Sequence, residues 1–174
     1  MPNDTTHSGQ IEKTPVATKA SPHSTSAENS FAIVGMGASA GGLAAFTEFF
    51  AGMPTDRDSG MAFVLVQHLA PDHESLLTEL IQRNTRMKVF EVEDGVKVQV
   101  NCVYIIPPNR DMAFLNGTLQ LLEPAAARGF RLPIDYLFRS LAQDQRERAI
   151  GIVLSGTGSD GTAGVRAIKA EGGW

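Results

Sequence analysis

The chain has 174 residues, of which 43% are hydrophobic and 20% charged, enough for one sizeable core and too few for several. A net charge of -4 supplies no basic footprint for nucleic acid or an anionic membrane surface, and no run approaches the roughly 20 apolar residues of a spanning helix. The single cysteine, Cys102, excludes an internal disulfide, and with only four histidines no structural zinc cluster is expected; a soluble protein of the reducing cytoplasm is the default.

Residues 1–30 are dominated by Ser, Thr, Pro, Ala and scattered charge, with Ile11 and Val16 as the only large aliphatics after Met1. Such a segment does not repay the entropy of ordering, so it is expected to be a disordered leader ahead of one domain over 31–174. From Phe31 short aliphatic runs alternate with helical periodicity, the pattern of βαβ units feeding a parallel sheet. Residues 31–35 read as a buried strand closed by glycine. The next helix carries Leu43, Phe46, Phe50 and Met53 on one stripe and is stopped by Pro54. Residues 61–66 read as a second buried strand, and Asp72 is placed to cap a helix whose Leu76, Leu77, Leu80 and Ile81 share a face. Residues 89–100 alternate around Asp94-Gly95 and residues 112–121 around Asn116-Gly117, which predicts two hairpins. Between them residues 103–106 form a strand that Pro107-Pro108 ends. Pro133 opens a helix with Ile134, Leu137, Phe138 and Leu141 on one stripe. Residues 149–154 read as another buried strand, followed by a last helix with Val165 and Ile168 and a stop at Gly172-Gly173. The expected fold is a three-layer α/β domain, a doubly wound, mainly parallel sheet with β-hairpin additions.

In an open parallel sheet reactive groups gather beyond the carboxyl ends of the strands. Three polar residues are expected there: Ser39 on the glycine-crowded exit of strand one, His68 after strand two, and Asp160 after the strand ending at Leu154. A serine hydroxyl is a weak nucleophile until an imidazole takes its proton, and the imidazole needs a carboxylate to hold its tautomer, so this is the inventory of a hydrolytic triad. The run Gly37-x-Ser39-x-Gly41 permits the sharp turn that lifts a nucleophile out of the fold and leaves helix-start N–H groups near an oxyanion. The chain order Ser, His, Asp differs from the Ser, Asp, His order of α/β-hydrolases, so that fold is not implied.

Other readings stand beside this one. Gly35-x-Gly37-x-x-Ala40 also satisfies a dinucleotide fingerprint, although Gln67 and His68 occupy the place where an acidic ribose ligand belongs. Taken singly, Ser39 reads as a helix N-cap, His68 as a satisfied polar residue at a strand end, and Asp160 as a cap on the last helix. His73 and Asp72 are expected on the first turn of their helix in structural roles, Asp135 as a carboxylate meeting its own helix dipole, and Cys102 as a small buried hydrophobe.

Five separated segments, GMGASAGG at 35–42, QHLAPDH at 67–73, VYIIPPNRDM at 103–112, LPIDYLFRSLA at 132–142 and GIVLSGTGSDG at 151–161, together resemble the catalytic domain of the chemotaxis protein-glutamate methylesterase CheB family. The resemblance runs from about Phe31 to the last residue. It implies hydrolysis of glutamate γ-methyl esters on chemoreceptors, with receptor glutamine deamidation as a further activity of some members. It assigns the nucleophile to Ser39, the general base to His68, the orienting acid to Asp160, and the oxyanion region to the loop of Thr157. The general elbow geometry nominates the Ala40 N–H as second oxyanion donor. It implies no metal and no organic cofactor. Many relatives carry threonine where Ala40 stands. The stretch 140–161 is most similar to methylesterase domains joined to a methyltransferase domain, which makes the methylated chemoreceptor and such a domain of the same parent the expected partners. Two-domain members carry an N-terminal phosphorylatable receiver domain; with a short leader here, regulation by phosphoryl transfer within the polypeptide is not expected. The family continues past Gly172-Gly173 into a further strand and helices, so the domain is expected to be incomplete at its C-terminus, either as a fragment of a longer product or as a truncated relative. The rival function is a non-catalytic sensory or docking module on the same fold.

Overall fold

The computed structural model describes residues 31–67, 74–124, 130–156 and 158–174. In chain order they form β1 (Ile33–Ala38), α1 (Gly42–Ala51), β2 (Ala62–Gln67), α2 (Glu74–Asn84), β3 (Lys88–Glu91), β4 (Val96–Lys97), β5 (Cys102–Ile105), β6 (Asp111–Leu115), β7 (Thr118–Leu122), α3 (Pro133–Gln145), β8 (Ala149–Ser155) and α4 (Thr162–Ala170). Five strands make a parallel sheet in the order β3-β5-β2-β1-β8, and three make an antiparallel sheet in the order β4-β7-β6.

The two-residue period of a strand divides the core. Val34, Met36 and Ala38 of β1 turn to one face, where they join Phe46 and Phe50 of α1 and Leu77 and Ile81 of α2. Ile33 turns to the other, where it joins Ile134, Leu137, Phe138 and Leu141 of α3 and Met112, Phe114 and Leu119 of the small sheet. The large sheet is thus covered on both faces, which is why β1 and β2 are almost wholly apolar. The α3 stripe read from the sequence is buried at all four positions. In α2 the stripe is narrower than expected: Leu77 and Ile81 are buried, whereas Leu76 is exposed.

One of the two expected hairpins forms. Asn116-Gly117, with φ of 50° and 76°, joins β6 to β7 in the twist that two-residue hairpin turns require. Asp94-Gly95 does not close a hairpin, because β3 pairs in parallel with β5 while β4 pairs antiparallel with β7. Burial decides this: Val89 packs with the core on the α1–α2 face, but Val96 and Val98 belong to the opposite core, so the turn carries the chain from one sheet to the other. It is anchored by the Gly95 N–H on the Leu119 carbonyl at 2.8 Å and the Leu121 N–H on Asp94 Oδ1 at 2.8 Å.

Among the described residues the strand at 149–154, expected to be buried, stands at the end of the strand order, with Val153 44% exposed. The last residue runs along its outer side, Trp174 N–H bonding the Ala149 carbonyl and Gly151 N–H the Trp174 carbonyl. Gly172, at φ 86°, ends α4 as the sequence suggests. Cys102 is buried. No helix among the described residues is long and apolar enough to cross a membrane.

Candidate active site

β1 leaves the sheet at Ala38 and turns within four residues into α1. Gly41 takes the left-handed conformation, φ 78°, which glycine adopts without steric cost, and the Gly42 N–H closes the turn on the Ser39 carbonyl at 3.0 Å. Ser39 is half-buried and Ala40 exposed, so the hydroxyl stands at the surface of a turn rather than inside it.

A slip in register aims the exit of β8 at this turn. Gly37 pairs with Val153 but Ala38 pairs with Ser155, leaving one residue bulged, a device that bends a strand and redirects the chain beyond it. Ser39 N–H then donates to the Ser155 carbonyl at 2.9 Å, and Ser155 Oγ donates to the Ala40 carbonyl at 3.0 Å. Gly156 passes so close that a β-carbon built there would lie 2.7 Å from Ser39 Oγ. Ser155 and Gly156 therefore shape the candidate site at the Ser39 turn, a part the sequence did not single out. Their glycine-rich setting was visible, but the bulge that brings them over Ser39 depends on pairing with β1.

Asp160 lies five residues beyond β8, before α4. Its carboxylate does not cap α4, as a sequence reading allows; it accepts the Ile134 N–H at 3.1 Å on Oδ2 and the Asp135 N–H at 2.8 Å on Oδ1, both from the first turn of α3. Asp135 in turn does not merely face its own helix dipole: its Oδ1 accepts the Gly164 N–H of α4 at 2.6 Å. A carboxylate offers about four lone-pair directions, so two backbone bonds fix the plane of Asp160 without exhausting its capacity to accept.

His68, Asp72, His73 and Thr157 lie outside the described residues. Gln67, which precedes His68, pairs with Ala38 in register. Strands β2, β1 and β8 are neighbours, and all three run parallel, so Ser39 and Asp160 come after adjacent strands at one edge of the sheet, the edge at which β2 also ends. The Gln67 side chain packs on Gly42, and its Oε1 is buried without a partner among the described residues.

Two other features stand apart from this edge. Burial pushes the Tyr104 phenol above its ordinary value, against the opposing pull of the Gln99 N–H that bonds it, but Tyr104 belongs to β5, two strands from β1. A cavity of about 850 Å³ lined by Met53, Arg57, Met61, Arg86, Lys88 and Cys102, among others, opens at the amino ends of β2, β3 and β5. Size alone makes it a candidate, but it lies at the opposite edge of the sheet from the Ser39 turn.

An α/β domain that carries a serine on a glycine-bounded strand-to-helix turn, held under the exit of a neighbouring strand, has the layout of a serine hydrolase. The profile of the CheB methylesterase family matches residues 34–174, so the chain belongs to that family. It is 28% identical to the crystal structure of the Thermotoga maritima CheB methylesterase catalytic domain, with a TM-score of 0.72 over 83% of this chain and 77% of that one. It is 30% identical to the protein-glutamate methylesterase/protein-glutamine glutaminase of Escherichia coli K12 over 82% of this chain and 41% of the relative. It is 44% identical over 97 residues to an uncharacterized 104.1 kDa protein of Rhodobacter capsulatus, covering 56% of this chain and 10% of that protein. The chain thus spans well under half the length of these two relatives.

Proposed function

We propose that this chain is the esterase domain of a cytoplasmic protein-glutamate methylesterase, a serine hydrolase that cleaves glutamate γ-methyl esters on chemoreceptor helices in chemotaxis signalling. Ser39 Oγ attacks the ester carbonyl while His68 takes its proton, and Asp160 holds the imidazole in the productive tautomer. The tetrahedral oxyanion is bound by the N–H groups of Ala40 and Thr157. Ser39's own N–H is committed to the Ser155 carbonyl, which directs the oxyanion role to donors later in the chain. Collapse expels methoxide, which leaves as methanol with the proton from His68. Water, deprotonated by His68, then attacks the acyl-serine and releases the glutamate carboxylate, restoring the charge and the free hydroxyl. Deamidation of receptor glutamine takes the same course with ammonia as the leaving group. No step calls for a metal or an organic cofactor.

The observation that carries this reading is the stitching of the Ser39 turn to the exit of β8, with Gly156 lying against the hydroxyl. Membership of the family supports the substrate class. A longer parent protein, with a methyltransferase domain as a further partner, is part of the same proposal; its support is the similarity to a 104.1 kDa protein of which the chain covers 10%.

The test is methanol release from a receptor fragment carrying glutamate γ-methyl esters. Ser39→Ala is expected to lower kcat by several orders of magnitude while leaving the unfolding midpoint unchanged. Hydrolysis that survives the substitution defeats the reading.

A further inference from the structure

α3 and α4 meet at their N-termini, and neither is capped by the side chain at its own N-cap position. The N-cap positions, Leu132 and Gly161, make no side-chain bond to their helices. Each helix instead receives a carboxylate from the other: Asp160, next to the start of α4, takes two N–H groups of α3, and Asp135, in the first turn of α3, takes the Gly164 N–H of α4. Asp135 is 5% exposed, and a polar group so buried costs free energy unless it is hydrogen-bonded. The approach is close enough that a β-carbon on Gly164 would lie 2.5 Å from that of Phe138, so the two helix starts cannot slide past one another without breaking both sets of bonds.

We propose that Asp135 is a positioning residue that sets the place of Asp160, the orienting acid, by clamping α4 to α3; this rests on the reading of Asp160 in the hydrolytic triad. Asp135 touches no substrate. It ties the first turn of α4, three residues past Gly161, to the same turn of α3 whose N–H groups hold the Asp160 carboxylate. Loosening the Asp135–Gly164 bond therefore lets the loop that bears Asp160 drift from the N–H pair that fixes its plane, and small displacements of an orienting group carry large rate penalties.

The experiment measures ester hydrolysis and amide hydrogen exchange on the 174-residue chain. Asp135→Ala is expected to lower kcat, corrected for folded fraction, by about tenfold to hundredfold, with KM within about twofold. Exchange at the Ile134 amide is expected to accelerate together with that at Gly164. Asp135→Asn keeps the acceptor oxygen and is expected to retain activity to within about threefold, guarding against a variant that merely fails to fold. In an Asp160→Ala background, Asp135→Ala is expected to cause no further loss, because residues acting through one another are not additive. Unchanged Ile134 exchange in Asp135→Ala, equal impairment of the Ala and Asn variants, or independent losses in the double variant would each overturn the proposal. Retained hydrolysis in Ser39→Ala would instead remove the triad reading, while the exchange measurement would still judge the clamp.

Discussion

The two faces of the large sheet are packed by different means. On the α1–α2 face large side chains meet large side chains: Phe50 and Phe63 stand edge to face with ring centroids 5.5 Å apart, and Leu65, Leu77 and Ile81 fill the space around them. On the α3–α4 face the sheet presents glycines. A β-carbon on Gly35 would lie 2.9 Å from the Phe138 ring, one on Gly37 2.4 Å from Ile134, and one on Gly151 2.7 Å from Ile168. The helices on this face therefore sit closer to the strands, and their N-termini reach the loop that carries Asp160. The same comparison explains the dinucleotide-like pattern at 35–40: its two leading glycines make room for α3, and no bound pyrophosphate need be invoked to account for them. Side-chain packing secures the first face, whereas the second trades side-chain volume for backbone placement, which is what a site built from helix starts demands.

The sharpest way to break this comparison is to hollow each face in turn. Phe138→Ala is expected to cost about 3–5 kcal/mol in denaturant unfolding and Phe46→Ala a similar amount, since both are fully buried. Only Phe138→Ala is expected also to slow hydrolysis per folded molecule, because it loosens α3 against α4; equal rates in the two folded variants would show that the glycine-lined face has no special tie to the site. A smaller effect is expected from Gly156→Ala. The added methyl falls against Ser39 Oγ, and at φ 158° the backbone is one that L side chains rarely adopt, so the variant should lower kcat by about tenfold to hundredfold and lower the thermal midpoint by less than Phe138→Ala does, measured by steady-state hydrolysis beside a melting curve. The smallest belongs to the cavity at the amino ends of the strands. Arg57 is exposed there, and Arg57→Ala should leave the rate unaltered and stability within about 0.5 kcal/mol; a marked loss of hydrolysis would mean that the far edge takes part in the reaction.

Legibility varied with how local each constraint was. The stripe of α3 was readable because Ile134, Leu137, Phe138 and Leu141 repeat at helical spacing whatever lies opposite. The Asn116-Gly117 hairpin was readable because both flanking strands bury their inward residues in the same core. Asp94-Gly95 looked alike in sequence and behaved differently, because Val89 and Val96 are claimed by opposite faces of the large sheet. Asp160 was singled out as a residue at a strand exit, yet the helix it holds lies 25 to 26 residues earlier in the chain, a pairing that no local pattern encodes. Ser155 and Gly156 were passed over for the same reason, since their part in the site exists only once β8 pairs out of step with β1.

The amino-acid sequence by itself determined the class of fold and the glycine-bounded turn that carries Ser39, because apolar period, turn chemistry and glycine content act over a few neighbouring residues. Only the tertiary structure decided which strand each turn serves and that α3 and α4 exchange their capping carboxylates. Those outcomes depend on which buried surfaces and which unsatisfied helix-start N–H groups meet in space, and such meetings are settled by packing across the whole domain.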